Sequence, residues 1–204
     1  MDISSESERD RCTHYYTPLL EKHNYTHEAV GWGSSASQHC RFRVLTSVAG
    51  DLQRRSILDV GCGLGHFARY LQDNHVQCNY LGLDRLPEMV NRARQNHPNF
   101  LFQLGDIDSL SGTSQFDYAF ASGIFTFSTF ELMQETIRKI FLQTSHAFAF
   151  NSLSAWAEEK ETGEFYADPL STLHFCRSLT PWVVLRHDYM PHDFTIYMYH
   201  HQCQ

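Results

Sequence analysis

Three glycines at alternate positions, Gly61, Gly63 and Gly65, constrain this chain more than any other feature of its sequence. They follow the short, mainly apolar run Ile57–Val60 and precede a segment whose apolar residues repeat at helical spacing. Glycine costs roughly 0.5–1 kcal/mol relative to alanine in regular structure, so the cluster indicates a backbone that comes close to a ligand. A strand, a glycine turn and a helix in this order predict the nucleotide-binding turn of an α/β sheet.

Apolar runs alternate with helical patterns through the centre of the chain. The predicted strands are Ile57–Val60, Tyr80–Leu83, Phe100–Leu104, Phe116–Ala121, His146–Phe150, Trp182–Arg186 and Phe194–Tyr199. This alternation predicts a doubly wound, mostly parallel sheet with helices on both faces. The last two runs are joined by a short loop around Pro191, which predicts an antiparallel C-terminal hairpin.

Four helix starts have recognisable signals. Ser35 with Gln38, and Ser128 with Glu131, have the spacing of a capping box. Pro87 stands at a predicted first helical position, and the dipeptide Asp168-Pro169 predicts a further helix start. The first of these helices is predicted to end near Gly50.

Composition limits the classes of partner. The 204 residues and 42% hydrophobic content suit one globular unit, which we divide into a flexible tail and lid segment (residues 1–35) and a ligand-binding domain (residues 36–204). A net charge of −7 argues against nucleic acid as a partner. The polar N-terminus, the lack of a long apolar run and six scattered cysteines predict a cytoplasmic protein without a membrane or metal site. We expect a monomer or a homodimer.

An acid follows the glycine turn at a suitable distance. Asp84 ends the second predicted strand about twenty residues beyond the turn, where a carboxylate can accept hydrogen bonds from both hydroxyls of a ribose. A dinucleotide fingerprint would read GxGxxG, but here the third glycine comes one position early and His66 takes its place. These residues alone do not decide between the dinucleotide of an NAD-dependent oxidoreductase and another cofactor that contains a ribose.

Four motifs in order carry a more specific signal. They are DVGCGLG, then GLD ending at Asp84, then GDI from Gly105 to Ile107, then ASG from Ala121 to Gly123. Their order resembles that of the class I S-adenosylmethionine-dependent methyltransferases over roughly Gly31 to Tyr199. The resemblance implies a Rossmann-like fold of seven strands, S-adenosylmethionine as cofactor, and a reversed last strand that agrees with the predicted hairpin.

The resemblance also assigns cofactor contacts, which fall on the turn, the strand ends and the upstream segment GWGSSASQHCRF that looks like a lid. The residues concerned are Gly61, Cys62 and Gly63 at the methionine part, Asp84 at the ribose, Arg85 beside the adenosine, Asp106 and Ile107 at the adenine, Ser122 and Gly123 near the methionine amino group, and Trp32, Gln38 and Arg41 in the lid. Asp59 is expected to brace the glycine turn.

The molecule that accepts the methyl group is constrained mainly by motifs that the sequence lacks. ASGIF follows the fourth strand where amino-methylating enzymes have Asn/Asp-Pro-Pro-Tyr/Phe, and no Pro-Cys dipeptide supplies the nucleophile of cytosine C5 enzymes. We predict transfer of a methyl group to a small-molecule acceptor by in-line displacement, with hydroxyl, carboxyl, nitrogen and carbon acceptors all open. A non-catalytic protein that binds S-adenosylmethionine is the main alternative. Candidate bases are His187, His192, Asp193 and Tyr166, with Tyr15, Tyr16 and His27 in the segments expected to cover the acceptor.

Overall fold

One seven-stranded sheet organises the computed structural model, which describes residues 8–110 and 116–202. Its strands are β1 (Ser56–Val60), β2 (Asn79–Asp84), β3 (Leu101–Leu104), β4 (Phe116–Ala121), β5 (Thr144–Leu153), β6 (Trp182–Met190) and β7 (Asp193–Tyr199). They lie in the order β3-β2-β1-β4-β5-β7-β6. Neighbours from β3 to β5 are parallel, whereas β7 runs antiparallel to both β5 and β6. The predicted fold class, including the reversed last strand, is confirmed.

Helices cover both faces of this sheet. They are α1 (Glu8–His23), α2 (Ser35–Thr46), α3 (His66–Asp73), α4 (Pro87–Asn96), α5 (Phe130–Leu142) and α6 (Pro169–Leu179), with 3-10 turns at His27–Val30 and Ile107–Ser109. Buried residues of α2, α3 and α4 form one apolar cluster with the sheet, and those of α5 and α6 form another on the opposite face. None of the described helices is both long and apolar enough to cross a membrane.

The central strands are apolar on both sides, as expected for parallel strands buried between helices. In β5, four consecutive residues from Ala147 to Phe150 are fully buried. Ala147 and Ala149 belong to the cluster with α2 and α3, while Phe148 and Phe150 belong to the cluster with α5 and α6. Small side chains on one face and large ones on the other therefore fix the orientation of this strand.

The two predicted capping boxes are each wrong by one residue. Ser34, with extended backbone (φ −158°, ψ 153°), is the N-cap of α2, and its Oγ accepts a hydrogen bond from Ser37 N at 3.1 Å. Thr129 is the N-cap of α5 in place of Ser128. In both cases a neighbouring serine or threonine could also act as the N-cap, so the sequence allows two positions for the start of the helix. The backbone angles show which one is used.

Two other helix starts lie where the sequence predicts them, whereas the end of α2 and the N-terminal helix differ from the prediction. Pro87 is the first residue of α4, and Asp168 is the N-cap of α6, with its Oδ1 accepting from Ser171 N at 2.7 Å. The helix α2 ends at Thr46, earlier than the predicted Gly50. The helix α1 was not predicted, because its apolar and aromatic residues share the segment with Pro18 and many polar residues.

The assignment of the α2 cap is testable. Ser34→Ala removes the acceptor for Ser37 N–H, and we expect the free energy of unfolding to fall by about 1 kcal/mol. Ser35→Ala is the matched control, because residue 35 already lies inside the helix, where alanine is favourable. Urea denaturation of both variants measures the two changes. A larger loss for Ser35→Ala than for Ser34→Ala would restore the cap predicted from the sequence.

Candidate cofactor and acceptor site

A cavity of about 540 Å³ lies at the carboxyl ends of the central strands, where open α/β sheets bind their ligands. All the residues to which the resemblance assigned cofactor contacts line this one cavity: Trp32, Gln38, Arg41, Gly61, Cys62, Gly63, Asp84, Arg85, Asp106, Ile107, Ser122 and Gly123. They come from α2 and the residues just before it, and from four strand ends and the loops that follow them. The fold therefore brings together positions that are up to 91 residues apart in the sequence.

The end of β2 holds the glycine turn. Gly61 N and Cys62 N both donate to the carbonyl oxygen of Leu83, at 2.8 and 2.9 Å. Gly63 N donates to Asp84 Oδ2 at 2.8 Å. Gly61 has φ +73°, and a Cβ there would lie 2.3 Å from Ile124 Cγ2. The turn needs glycine for its backbone angle and for this close approach.

Asp84 is a partly buried carboxylate at the edge of the cavity. Its Oδ1 accepts from Leu86 N at 2.9 Å, in addition to the bond from Gly63 N to Oδ2. Burial raises the pKa of Asp84, and the two backbone hydrogen bonds act against that increase. A carboxylate offers about four acceptor positions, so two backbone bonds leave capacity for the hydroxyls of a ribose.

Asp59 has a different partner from the one expected. The resemblance implied that it braces the glycine turn, but its Oδ2 accepts a hydrogen bond from the phenol of Tyr80 on β2 at 2.5 Å. Asp59 is only 3% exposed, and burial raises the pKa of its carboxyl to about 7. The turn itself is braced by Leu83 and Asp84. Asp59 lines the cavity from below as a carboxyl that keeps its proton more tightly than usual.

The predicted adenine side combines an ion pair with an apolar wall. Arg85 Nε lies 3.5 Å from Asp106 Oδ2. Asp106 Oδ1 also accepts from Asp108 N at 3.1 Å and so caps the 3-10 turn Ile107–Ser109. Ile107 is buried at the cavity wall. Asp106 thus caps a turn, and it also lines the cavity.

Asn151 is a site residue that sequence reasoning missed. It is fully buried at the end of β5, where its Oδ1 accepts from Gly123 N at 2.9 Å and its Nδ2 donates to Ser122 Oγ at 3.2 Å. This amide fixes the loop that follows β4. The signal was available in the sequence, because a polar asparagine directly follows the apolar run that ends at Phe150.

The lid-like motif at residues 31–42, which extends into α2, is tied to the C-terminal hairpin through Arg41. Its Nε donates to Asp193 Oδ2 at 2.8 Å, and both side chains are buried. Tyr189 O–H donates to the other carboxylate oxygen, and Arg41 Nη2 donates to His192 Nε2 at 3.3 Å. The Arg41 guanidinium lies 4.4 Å from the centre of the Trp32 ring, which packs against Gly123. This network orients Trp32 over the loop after β4.

Gln38 forms a second connection, from α2 to His66 at the start of α3. His66 is the residue at which the sequence departs from the dinucleotide pattern GxGxxG. Gln38 Nε2 donates to His66 Nδ1 at 3.1 Å, so His66 carries its proton on Nε2 and donates it to the Tyr25 carbonyl at 3.0 Å. Tyr25 also pairs through its hydroxyl with His97 Nε2 at 2.5 Å. Burial lowers the pKa of both histidines, so both stay neutral near pH 7. Gln38 holds the lid to α3 and does not form the predicted capping box.

The structure separates the candidate bases into two groups. Tyr15, Tyr16, His192 and Asp193 line the cavity. Tyr166 is turned to Glu164, its O–H donating to Oε2 at 2.8 Å, and His187 Nε2 lies 2.8 Å from Ser154 Oγ beside the Trp156 ring. Neither of these two residues lines the cavity, and His27 does not either. Asp193 is committed to Arg41 and Tyr189, which makes it a positioning residue.

A parallel sheet with a glycine turn that faces an acidic strand end is typical of α/β domains that bind nucleoside-containing cofactors. Comparison with known proteins defines the class. The profile of the methyltransferase domain family matches residues 57–143. A protein of Mycobacterium tuberculosis named as a methyltransferase, Rv1506c, is 30% identical over 154 residues, which are 69% of this chain and 90% of that protein.

One further relative in sequence and one solved structure, both named as methyltransferases, agree with this class. The malonyl-[acyl-carrier protein] O-methyltransferase of Pectobacterium atrosepticum is 32% identical over 100 residues, 45% of this chain and 39% of that protein. The crystal structure of magnesium protoporphyrin IX methyltransferase from Synechocystis with bound S-adenosylmethionine shares the fold, with a TM-score of 0.71 at 13% identity, over 96% of this chain and 98% of that one. The chain belongs to the class I S-adenosylmethionine-dependent methyltransferases, and not to the NAD-dependent oxidoreductases that the glycine turn had left open.

The pKa of Asp59 predicts a pH-dependent stability. The folded protein binds this proton more tightly than the unfolded chain, whose aspartates titrate near pH 3.9, so the group lowers the free energy of unfolding as pH rises from about 4 to about 7. Asp59→Asn removes the titration and keeps an acceptor for Tyr80. We subtract the free energy of unfolding of the native chain from that of Asp59→Asn at each pH. This difference should be roughly 1–3 kcal/mol more positive, in favour of the variant, at pH 8 than at pH 5.

Urea denaturation at the two pH values measures this difference, with Asp73→Asn on the exposed face of α3 as the matched control. Asp73 lies in a surface ion pair with Arg69, so its substitution should change stability by a small amount at both pH values. An Asp59→Asn effect that is equal at pH 5 and pH 8 would show that the carboxyl titrates normally in the folded protein.

Proposed function

We propose that this enzyme transfers the methyl group of S-adenosylmethionine to a small-molecule acceptor, and that the twelve residues named above form its cofactor site. The observation that carries the proposal is the glycine turn, held by Leu83 and Asp84 against the end of β2 with its backbone lining the cavity. A cytoplasmic location and a monomeric or homodimeric state stay predictions of the sequence.

The residues present suit the cofactor. At Gly61 and Gly63 the main chain meets the cavity without a side chain, and a Cβ at Gly61 would collide with Ile124. Asp84 supplies acceptors suited to ribose hydroxyls, while Ser122 and the backbone around Gly123 offer polar groups near the turn. Ile107 gives an apolar surface suited to a purine ring.

S-adenosylmethionine supplies a methyl group that its sulfonium has already activated. The contribution of the chain is to hold the acceptor in line behind that methyl group, which for well-oriented reactions can account for roughly 7–11 kcal/mol of the barrier. The lid residues Trp32 and Gln38, which Arg41 and His66 hold in place, line the cavity, and in this proposal they limit the access of water to the reacting groups. His192 stays a candidate base, although its Nε2 accepts from Arg41.

A small acceptor is supported by the size and lining of the cavity. A volume of about 540 Å³ lies within the range of roughly 300–1,000 Å³ typical of small-molecule sites. Besides the cofactor residues, the lining includes the aromatic residues Tyr15, Tyr16 and Phe127. Tyr16 lies close enough to Asp84 for the charge of the carboxylate to raise the pKa of its phenol, after the larger effect of burial, so these rings adjoin the proposed cofactor contacts, and we propose that the room beside them takes a second ligand. This room favours an enzyme over a protein that only binds the cofactor.

Asp84→Ala tests the cofactor assignment. The variant loses the acceptors for the ribose and for Gly63 N–H, so we expect the affinity for S-adenosylmethionine to fall by about 2–3 kcal/mol, roughly 30- to 150-fold. Asp84→Asn keeps one carbonyl acceptor and should lose less. Isothermal titration calorimetry measures both changes, with the thermal midpoint recorded to confirm that each variant is folded.

The matched control is Asp108→Ala. Asp108 is exposed near the cavity, its carboxylate pairs with Lys139 at 2.8 Å, and it does not line the site. Its substitution should leave the dissociation constant of S-adenosylmethionine unchanged. A folded Asp84→Ala variant with native affinity would contradict the proposed site. NAD binding without S-adenosylmethionine binding by the native chain would contradict the proposed cofactor.

A further inference from the structure

One end of the cavity is walled by aromatic rings. We call this part, formed by Tyr15 and Tyr16 of α1, Ile124, Thr126 and Phe127 of the loop after β4, and Glu164, the aromatic chamber. The ring centres of Tyr15 and Phe127 are 5.0 Å apart, as are those of Tyr15 and Tyr16, and both pairs are edge-to-face. Such packing holds the rings in defined orientations and suits a flat aromatic ligand.

The chamber adjoins the glycine turn. Ile124 packs directly on Gly61, the residue at which the methionine part of the cofactor is proposed to lie. Tyr15 contacts Gly31 at the start of the lid, with 3.2 Å between its ring and the position of a Cβ there. A molecule in the chamber therefore lies beside the proposed position of the methyl group.

The charge of the chamber is negative. Phe165 N donates to the Thr126 carbonyl at 2.7 Å, and this bond fixes Glu164 next to the loop that carries Phe127. Glu164 is close enough to raise the pKa of Tyr15, after the larger effect of burial. Its Oε2 accepts a hydrogen bond from the Tyr166 hydroxyl at 2.8 Å, a partner that carries no positive charge.

Cations elsewhere in the cavity are already paired. Among the described residues that line it, the arginines are Arg41 and Arg85, and each faces a carboxylate, Asp193 at 2.8 Å and Asp106 at 3.5 Å. Lys160 Nζ lies 5.9 Å from the centre of the Tyr166 ring, but Lys160 is not among the described residues that line the cavity. An acceptor with a carboxylate would therefore meet Glu164 in the chamber, where none of the described lining residues is an unpaired lysine or arginine. A protonated amine would gain an ion pair and the faces of two or three aromatic rings.

We propose that the acceptor is an aromatic compound with a protonated amine, bound with its ring against Tyr15, Tyr16 and Phe127 and its amine toward Glu164. The proposal rests on the proposed function, since it concerns the acceptor of the same site. It separates this chain from the relative named for malonyl-[acyl-carrier protein], because a malonyl group presents a free carboxylate.

Three probes with the same phenol ring but different charge test the proposal: tyramine, 4-ethylphenol and 4-hydroxyphenylacetate. Calorimetry on the full chain loaded with S-adenosylhomocysteine should rank their affinities in that order, with tyramine at least about tenfold tighter than 4-hydroxyphenylacetate. Glu164→Gln keeps an acceptor for Tyr166 and removes the charge, so it should bring this ratio close to one.

Two further variants control the result. Glu159→Gln changes an exposed acid that precedes Glu164 by five residues and does not line the cavity, so the ratio should stay native. Phe127→Leu should weaken tyramine and 4-ethylphenol together, by about three- to tenfold, without changing their ratio. Equal or tighter binding of 4-hydroxyphenylacetate, or no binding of tyramine, overturns the proposal.

Binding of S-adenosylhomocysteine, measured first in every variant, separates the two proposals. If the native chain does not bind it, the cofactor site and the proposed function fail. If it binds while the probes rank in the reverse order, the proposed function stands and only the amine assignment of the acceptor fails.

Discussion

The hydrogen bonds between the end of β2 and the glycine turn are the interaction on which the rest of the site depends. The Leu83 carbonyl and the Asp84 carboxylate together hold three successive backbone N–H groups, those of Gly61, Cys62 and Gly63. Because the turn follows β1 and its acceptors lie at the end of the neighbouring parallel strand β2, the turn has one position relative to the sheet. Asp84 then serves two purposes, since the oxygens that brace the turn also face the cavity.

The lid adds a second layer of constraint, because its partners come from distant parts of the chain. Arg41 reaches Asp193 across 152 residues, and Gln38 reaches His66 across 28. Breaking a buried ion pair by removing one partner typically costs about 3–5 kcal/mol, since the other charge stays buried without compensation. The pair therefore couples the position of Trp32, and with it the cover of the site, to the integrity of the C-terminal hairpin.

The two ends of the cavity differ in chemistry. Around the turn and the strand ends, the cavity is lined by the Asp84 carboxylate, the Ser122 hydroxyl and glycines without side chains, which suit the proposed nucleoside cofactor. In the aromatic chamber, rings from α1 and the loop after β4 line the cavity together with Glu164, and this is where we propose that the acceptor binds. In-line transfer requires the two ligands to meet end to end, and the proposed placement of cofactor and acceptor in one cavity provides for this.

The sequence by itself determined the alternation of strands and helices, the mostly parallel sheet and the antiparallel C-terminal hairpin, because the spacing of apolar residues encodes these elements locally. The motifs DVGCGLG and GLD predicted where the cofactor contacts lie. Only the tertiary structure decided the partners of Gln38, Asp59 and Asp193, since each hydrogen bond joins residues that no local pattern connects. The same holds for Glu164, which becomes part of the site through one backbone bond from Phe165 to Thr126. The local spacing of residues predicts turns and helix caps. Hydrogen bonds between distant residues depend on how the helices and strands pack, and this packing cannot be worked out from the pattern of a single sequence.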